Sequence, residues 1–339
     1  MKRAIAAIAF GVTAAVFSSG ASAQATLNNV KQKGFLACGS NPALAGFGVP
    51  DAQGNWTGLD VEFCRAIAAA IFNDPSKVRF IPLTAKDRFT ALQSGEVDVL
   101  ARNSTATMSR DTQLNLDFPV INYYDGQGFM VRKKLGIASA KELSGASVCT
   151  QQGTTTELNL ADFFRANNLK YEVVAFATAD ETFKAYEAGR CDAFTTDASG
   201  LYAERAKAAS PDEHMVLPEI ISKEPLGPAV RHGDNQWGDV VRWVHYAMLN
   251  AEELGVTKAN VDQMLKSTNP EIKRLLGTEG KFGDAVGLPN DWAVRIIKHV
   301  GNYGESFERN VGMASPLKIQ RGQNALWTKG GLQYGQPVR

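Results

Sequence analysis

The chain has 339 residues, 44% hydrophobic and 21% charged, with 36 Lys and Arg against 35 Asp and Glu. That length normally divides into two domains with cores of their own. A net charge of +1 with no basic block argues against a nucleic-acid partner, and no stretch beyond the N-terminal one is long and apolar enough to predict a spanning helix.

Lys2 and Arg3 precede an apolar, small-residue-rich run over 4–17, and Ala21, Ser22 and Ala23 form an A-x-A site before Gln24. This predicts a cleaved signal peptide over 1–23 and an exported mature chain; a buried N-terminal helix is the other reading. Cys does not follow the site, so a lipid anchor is not implied.

After Gln24 the pattern alternates. Residues 34–39 predict a strand, 59–72 an amphipathic helix, 78–82 a strand, 85–94 a helix stopped at Gly95, and 97–101 a strand. This β-α-β-α-β order implies a parallel sheet covered by helices. The pattern restarts: strands at 128–132, 147–150, 171–175 and 192–196, with helices at 154–166 and 180–188. The run from Ala91 to Asp98 echoes that from Ala185 to Asp192, each a helix ending at Gly and followed by a strand. A strand at 226–231 leads into a helix at 235–254, then a helical region to about 310 and a Gly-rich tail expected to pack against the first half.

The four cysteines, Cys38, Cys64, Cys149 and Cys191, are even in number, which in an exported chain suggests disulfides. Cys38 ends a predicted strand and Cys64 lies on the next helix; Cys149 ends a later strand and Cys191 opens another. We expect Cys38–Cys64 and Cys149–Cys191, against the alternative of four buried thiols. With no C-x-x-C and the histidines distant in sequence, no metal is expected.

The segment Asn103, Ser104, Thr105, Ala106, Thr107, Met108, Ser109, Arg110 follows a predicted strand. The fork of Arg110 matches a carboxylate bidentately, with hydroxyls three and five positions earlier. Ligand crevices of open α/β sheets lie at such strand ends. A solvated turn is the plain alternative.

Gly58, Leu59, Asp60, Val61, Glu62 and Phe63, followed by Ile67, Ala68 and Ile71, resemble the signature of the family 3 extracellular solute-binding proteins, which deliver polar amino acids to ABC transporters. The 103–110 segment, Gln152 to Thr156, and Thr196 to Ser199 match further blocks in the same order. Within the family the chain is similar to the general, or glutamate/glutamine/aspartate/asparagine, L-amino-acid-binding group of Gram-negative bacteria. The resemblance implies an α/β fold of two lobes (type II periplasmic-binding-protein fold), each a mainly parallel sheet flanked by helices, joined by two hinge strands. Residues 24–127 and 229–339 would form lobe 1 and 128–228 lobe 2. The protein would be a periplasmic monomer that takes no cofactor, binds an L-amino acid and docks on a membrane permease.

By position in the motif, Arg110 would take the ligand α-carboxylate, with Thr105 and the Thr107 region beside it and a backbone N–H at Thr155. Asp197 would take the α-ammonium, helped by an acceptor near Asn103. The helix start at Thr154 suits an anion by its free N–H groups and dipole, although Gly153 and Thr154 can equally be a cap. Asp197 can equally be the N-cap of the next helix. Arg88 stands where acidic-amino-acid members carry a ligand-facing Arg, and Arg102 where basic-amino-acid members carry a small Ser. Asn41 replaces an Asp of those members, Leu44 a stacking aromatic, and Phe47 would take over that wall. Surface pairing of the arginines with Asp87 or Asp98 is the alternative. The implied pocket favours acidic and amide side chains, with a broader L-amino-acid tolerance as the other reading. A dehydratase-like enzyme would need a general acid, for which Asp197, Glu157 or Glu224 could be nominated; a sensory amino-acid receptor would use the same clamp.

Overall fold

The computed structural model describes residues 25–339; the expected leader, 1–23, lies outside them. The chain lays down β1 (Leu36–Ser40), a short hairpin of β2 (Val49–Pro50) and β3 (Trp56–Thr57), then β4 (Val78–Pro82), β5 (Val99–Thr105), β6 (Leu116–Asp117) and β7 (Tyr123–Asp125). β8 (Gln127–Arg132), β9 (Ala146–Gln151), β10 (Tyr171–Phe176), β11 (Ala193–Asp197) and β12 (His214–Val216) build a second sheet, and β13 (Glu224–Arg231) returns to the first.

The first sheet runs β4-β1-β5-β13-β6, with β7 also on β13; the second runs β10-β9-β11-β8-β12. Three strands of each pair in parallel, as the β-α-β-α-β reading requires. Both sheets are then extended by antiparallel strands, β13 on β5 and β8 on β11. These enter from the other sheet, so they need no crossover helix and pair antiparallel. In each parallel trio the first-formed strand ends up in the middle, so the strand order reverses beside it. The C-terminal strand ends at that reversal are where α/β sheets open a crevice. The echo between the halves is this topology used twice.

The two crossings run side by side. Ile221 N–H donates to the Gln127 carbonyl at 2.9 Å, and Gln127 N–H to Ser222 Oγ at 3.3 Å. A Cβ on Gly126 would lie 2.2 Å from Ile220 Cγ2, so the approach needs glycine. Glu224 already pairs with Asp125 in the first sheet, so the boundary expected at 228 falls inside β13.

The helix Leu59–Phe72 buries Phe63, Cys64, Ile67 and Ile71 in the largest core, buries Val61 and Ala68 as well, and carries Asp60 and Glu62 at its positive end. Gly58 precedes it at φ 131°, where a Cβ would meet the Phe47 carbonyl oxygen at 2.1 Å. The helix expected from 85 begins at Arg88. Thr84 and Asp87 hydrogen-bond each other there, an alternative that delays the first turn. The helical region after 256 is five short helices. The last, Tyr303–Asn310, docks on the first half: Ser306 donates to Glu62 at 2.5 Å and Arg309 grips the same carboxylate with two nitrogens. In the tail, Asn324 accepts from Tyr124 N–H and donates to the Tyr124 carbonyl, closing the edge of β7.

Both expected disulfides are present, Cys38–Cys64 and Cys149–Cys191. The second closes 42 residues, which in the loop-entropy account stabilises by about 4 kcal/mol. The double replacement Cys149→Ser, Cys191→Ser is therefore expected to lower unfolding free energy by that order in urea titration. A loss under about 1 kcal/mol would mean the reduced chain already restrains this loop.

Candidate functional site

β5 is longer than expected, so Asn103, Ser104 and Thr105 end a strand and do not belong to a loop. Thr107 then caps a single turn, Met108–Thr112, its hydroxyl accepting from Arg110 N–H. Strand end and capped turn together fix where Arg110 points. Its Nη1 donates to the Thr105 carbonyl at 2.7 Å, and its guanidinium carbon sits 4.8 Å from the Phe89 ring centre. The Arg88 guanidinium approaches the same ring, at 4.7 Å. Phe89 is thus a shared cation–π platform. Sequence reading missed it because neighbours in a helix do not face each other.

Arg88, Arg102 and Arg110 are all buried, 3%, 3% and 6% exposed, which rules out the surface-pairing alternative. Asp98 is instead taken by Lys33 and Ala37 N–H. Arg102 Nε donates to the Leu83 carbonyl at 2.8 Å. Arg88 Nε is buried without a hydrogen-bond partner. Burial first, then repulsion from Arg102 and Arg110, pushes the Arg88 guanidinium well below its ordinary range. Burial likewise brings Arg102 and Arg110 down to about 10. All three stay charged at neutral pH, with Asp60, Asp197 and Glu224 offsetting part of the cost of burial.

Asp197 ends β11 and stands at the N-cap position of the helix Ala198–Lys207, yet its side chain makes no cap bond. Asp125 takes that duty, receiving both the N–H and the hydroxyl of Ser199. The capping alternative for Asp197 therefore fails, and its carboxylate faces the space between the sheets. Burial first, then Asp125 and Glu224, pushes Asp197 well above the usual carboxylate range. Asp125 itself is pushed up to about 6, mainly by burial.

Thr154 is an N-cap, its hydroxyl accepting from Glu157 N–H and donating to the Gln151 carbonyl. Its side chain is thereby occupied, and what the helix Thr155–Ala166 presents is the N–H groups of its first turn. Thr105 ends β5 of the first sheet and Thr155 opens the helix after β9 of the second, and their hydroxyls lie 3.4 Å apart. Both donate to Glu224, at 2.9 and 2.5 Å, as do Asn159 and Ser222 at 2.7 and 2.8 Å. Glu224 therefore ties the two sheets together at the crossing. Four donors leave it an acceptor, which does not suit the general-acid role. Glu157 accepts from Gly153 N–H and belongs to the same cap.

The signature residue Asp60 acts on the site from behind. Its Oδ2 accepts from Asn103 N–H at 2.7 Å, holding Asn103 at φ 31°; burial pushes Asp60 up to about 6. Asn41 Nδ2 donates to Asn103 Oδ1 at 3.1 Å. Asn41, Leu44, Asn103 and Asp197 line one cavity between the sheets; Thr107, Arg110, Thr154 and Thr155 line another. Phe47 is in neither lining. It is 1% exposed in the core, edge-on to Tyr123, because the turn after Leu44 folds it inward against the helix start at Gly58.

Around the cavities stand three buried guanidinium groups, of which Arg110 lines one cavity while Arg88 and Arg102 line neither, together with Asp197, Asp125 and Glu224, hydroxyls and a helix start. Small zwitterions with a carboxylate need this mixture of fixed charges. A full-length relative in Rhizobium johnstonii, the General L-amino acid-binding periplasmic protein AapJ, is 60% identical over 100% of both chains. The Glutamate/glutamine/aspartate/asparagine-binding protein BztA of Rhodobacter capsulatus is 58% identical over 97% of each. A solved periplasmic binding protein from Brucella ovis, with glutathione bound, superposes with TM-score 0.91 at 64% identity, covering 93% of this chain and 99% of that one. The profile of the bacterial extracellular solute-binding proteins, family 3, matches residues 36–275, and the chain belongs to that family.

Proposed function

We propose that the protein is the periplasmic receptor of an amino-acid ABC transporter, a clamp of two lobes that binds an L-amino acid and presents it to the membrane permease as a monomer. The observation that carries this reading is the placement of Arg110 on one sheet and Asp197 on the other. A zwitterion bridges them only when the lobes close, so the ligand favours the closed state by its contacts to both. Thr105 and the helix start at Thr155 complete the carboxylate end. Asn103, held by Asp60, adds acceptors for the ammonium. The periplasmic name of the Rhizobium johnstonii relative supports the compartment, and the amino-acid-binding names of both relatives support the ligand class.

Arg88 is the group we assign to a side-chain carboxylate or amide oxygen, because its buried Nε is unsatisfied. A charged hydrogen bond of this kind contributes roughly 1.5–3 kcal/mol. Arg88→Met is therefore expected to weaken L-glutamate binding about tenfold to a hundredfold relative to L-alanine, while raising the thermal midpoint of the unliganded protein. Equal losses for both amino acids would remove Arg88 from side-chain recognition.

The bound glutathione of the Brucella ovis structure supports a second reading. A γ-glutamyl peptide carries the same α-amino-acid end, with an amide where glutamine has one. Isothermal titration against L- and D-amino acids and reduced glutathione tests both. Tight one-to-one binding of L-glutamate, glutamine, aspartate or asparagine supports the amino-acid clamp; binding of glutathione alone replaces it; binding of none removes both.

A further inference from the structure

The cavity that holds Asp197 extends to a carboxylate with no place in the zwitterion site. Asn41, Leu44 and Asn103 line it from the first sheet's side, and Asp197, Gly200 and Glu204 from the second's; its lining includes no Lys or Arg among the described residues. Glu204 is 1% exposed. Its Oε1 accepts from Lys207 Nζ at 3.1 Å, whereas its Oε2 is buried without a hydrogen-bond partner. Lys207 Nζ also reaches across to the Ala43 carbonyl at 2.6 Å, beside Leu44. A buried carboxylate oxygen left unpaired is unfavourable, and a donor entering the cavity would satisfy it.

The backbone around it keeps the space open. Gly200 precedes Glu204 by one helical turn on the same face. A Cβ there would stand 3.1 Å from Thr196 Cγ2 and 3.9 Å from Leu44 Cδ1, so any side chain would narrow the cavity next to Glu204. Charge separates along the cleft as well. Arg88, Arg102 and Arg110 feel Asp197 and one another, but the charges acting on Glu204 are Lys207 and Asp180. The cleft has a cationic end and a separate anionic one.

We propose that Glu204 is a specificity-determining acceptor: its Oε2 takes a hydrogen-bond donor from the far end of a ligand side chain, an ammonium, guanidinium or primary amide. The receptor then accepts donor-ended amino acids at Glu204 as well as acid-ended ones at Arg88. This rests on the amino-acid reading above. Lys207 is a positioning residue, holding Oε1 so that Oε2 is the free oxygen, and it does so most fully when Ala43 is in reach.

The test is calorimetric titration of wild type and Glu204→Gln with L-lysine, L-arginine, L-glutamine and L-glutamate. Wild type should bind all four. Glu204→Gln should weaken lysine and arginine about tenfold or more, and glutamate less than about twofold, since the lost contact is a charged hydrogen bond made only by donor-ended ligands. Failure of wild type to bind any donor-ended amino acid while binding glutamate overturns the proposal, as does an unchanged or uniform response in the variant. Failure to bind glutamate as well overturns the amino-acid reading with it. Wild type alone supplies a second readout. Burial pushes Glu204 up to about 7, against Lys207 and with Asp180 adding to it. Cationic side chains prefer its ionised form, so the ratio of lysine to glutamate affinity should rise severalfold from pH 6 to pH 8. Asp197 acts on the ammonium common to both ligands and cancels in that ratio. A flat ratio overturns the assignment.

Discussion

Replacing Arg110 by alanine is expected to abolish amino-acid binding at micromolar ligand. The geometry leaves the guanidinium one job. One nitrogen is committed to the Thr105 carbonyl and the face rests on Phe89, so the remaining edge is held in a fixed plane at the strand end. A ligand carboxylate entering there meets a preorganised fork, the hydroxyl of Thr105 and the N–H groups at the start of the helix Thr155–Ala166. Without the arginine, that carboxylate would be desolvated beside Glu224 and Asp197 with no cation of its own. Truncating one partner of a buried charge pair costs about 2–5 kcal/mol, a loss on the order of a hundredfold or more in Kd. Arg110→Lys should fall between, because an ammonium keeps the charge but loses the fork and the flat contact with Phe89. A thermal melt of the unliganded variant separates loss of the site from loss of the fold, because Arg110 also donates to the Thr105 carbonyl and offsets Glu224 and Asp197. L-Glutamate bound by Arg110→Ala with wild-type affinity would remove Arg110 from the carboxylate site.

The residues that could be read from sequence differ in kind from those that could not. Helix and strand periods place Leu59–Phe72 and Val78–Pro82 to the residue, because burial on one face is a local property of the chain. Cys38 and Cys64 were pairable because consecutive elements of a βα unit pack together. Strand ends were legible less sharply. β5 continues through polar Asn103, Ser104 and Thr105, where the hydrophobic pattern has already stopped, because β13 pairs with it there. Arg110, Thr155 and Asp197 carry motif signals that are local: a capped turn, a helix start and a strand end. Phe89, Asp125, Glu204 and the bridging role of Glu224 carry no such signal. The contacts of Asp125 and Glu224 join segments far apart in the chain, 74 residues for Asp125 with Ser199 and 69 and 119 for Glu224 with Thr155 and Thr105. Phe47 shows the limit from the other side: a large apolar residue near a binding loop reads equally as wall or core, and in the structure it is buried against Tyr123, distant in sequence.

Asp197→Asn should separate binding from stability. The carboxylate is buried beside Asp125 and Glu224, and the unliganded protein keeps Asp197 well above the usual carboxylate range for that reason. A carboxyl raised in the folded state contributes stability that is complete below its unfolded value, about 3.9, and lost as pH rises through the folded one. Asp125, pushed up to about 6, acts in the same direction. The thermal midpoint of unliganded wild type should therefore carry a component that falls from pH 5 toward pH 8. Asp197→Asn should remove much of that component and be the more stable protein at pH 8. His245, buried and down to about 4, works in the opposite direction but is common to both proteins and cancels between them. A ligand ammonium reverses the balance, since it replaces repulsion by Asp125 and Glu224 with a cation at Asp197. Wild type should then release protons on binding L-glutamate and bind it more tightly as pH rises. Asparagine in place of Asp197 offers the ammonium a neutral acceptor, and affinity should fall by about 2–4 kcal/mol. Titration in buffers of different ionisation enthalpy counts the protons. If Asp197→Asn keeps both the affinity and the proton release of wild type, the ammonium sits elsewhere, and Asp125 becomes the acid to replace next.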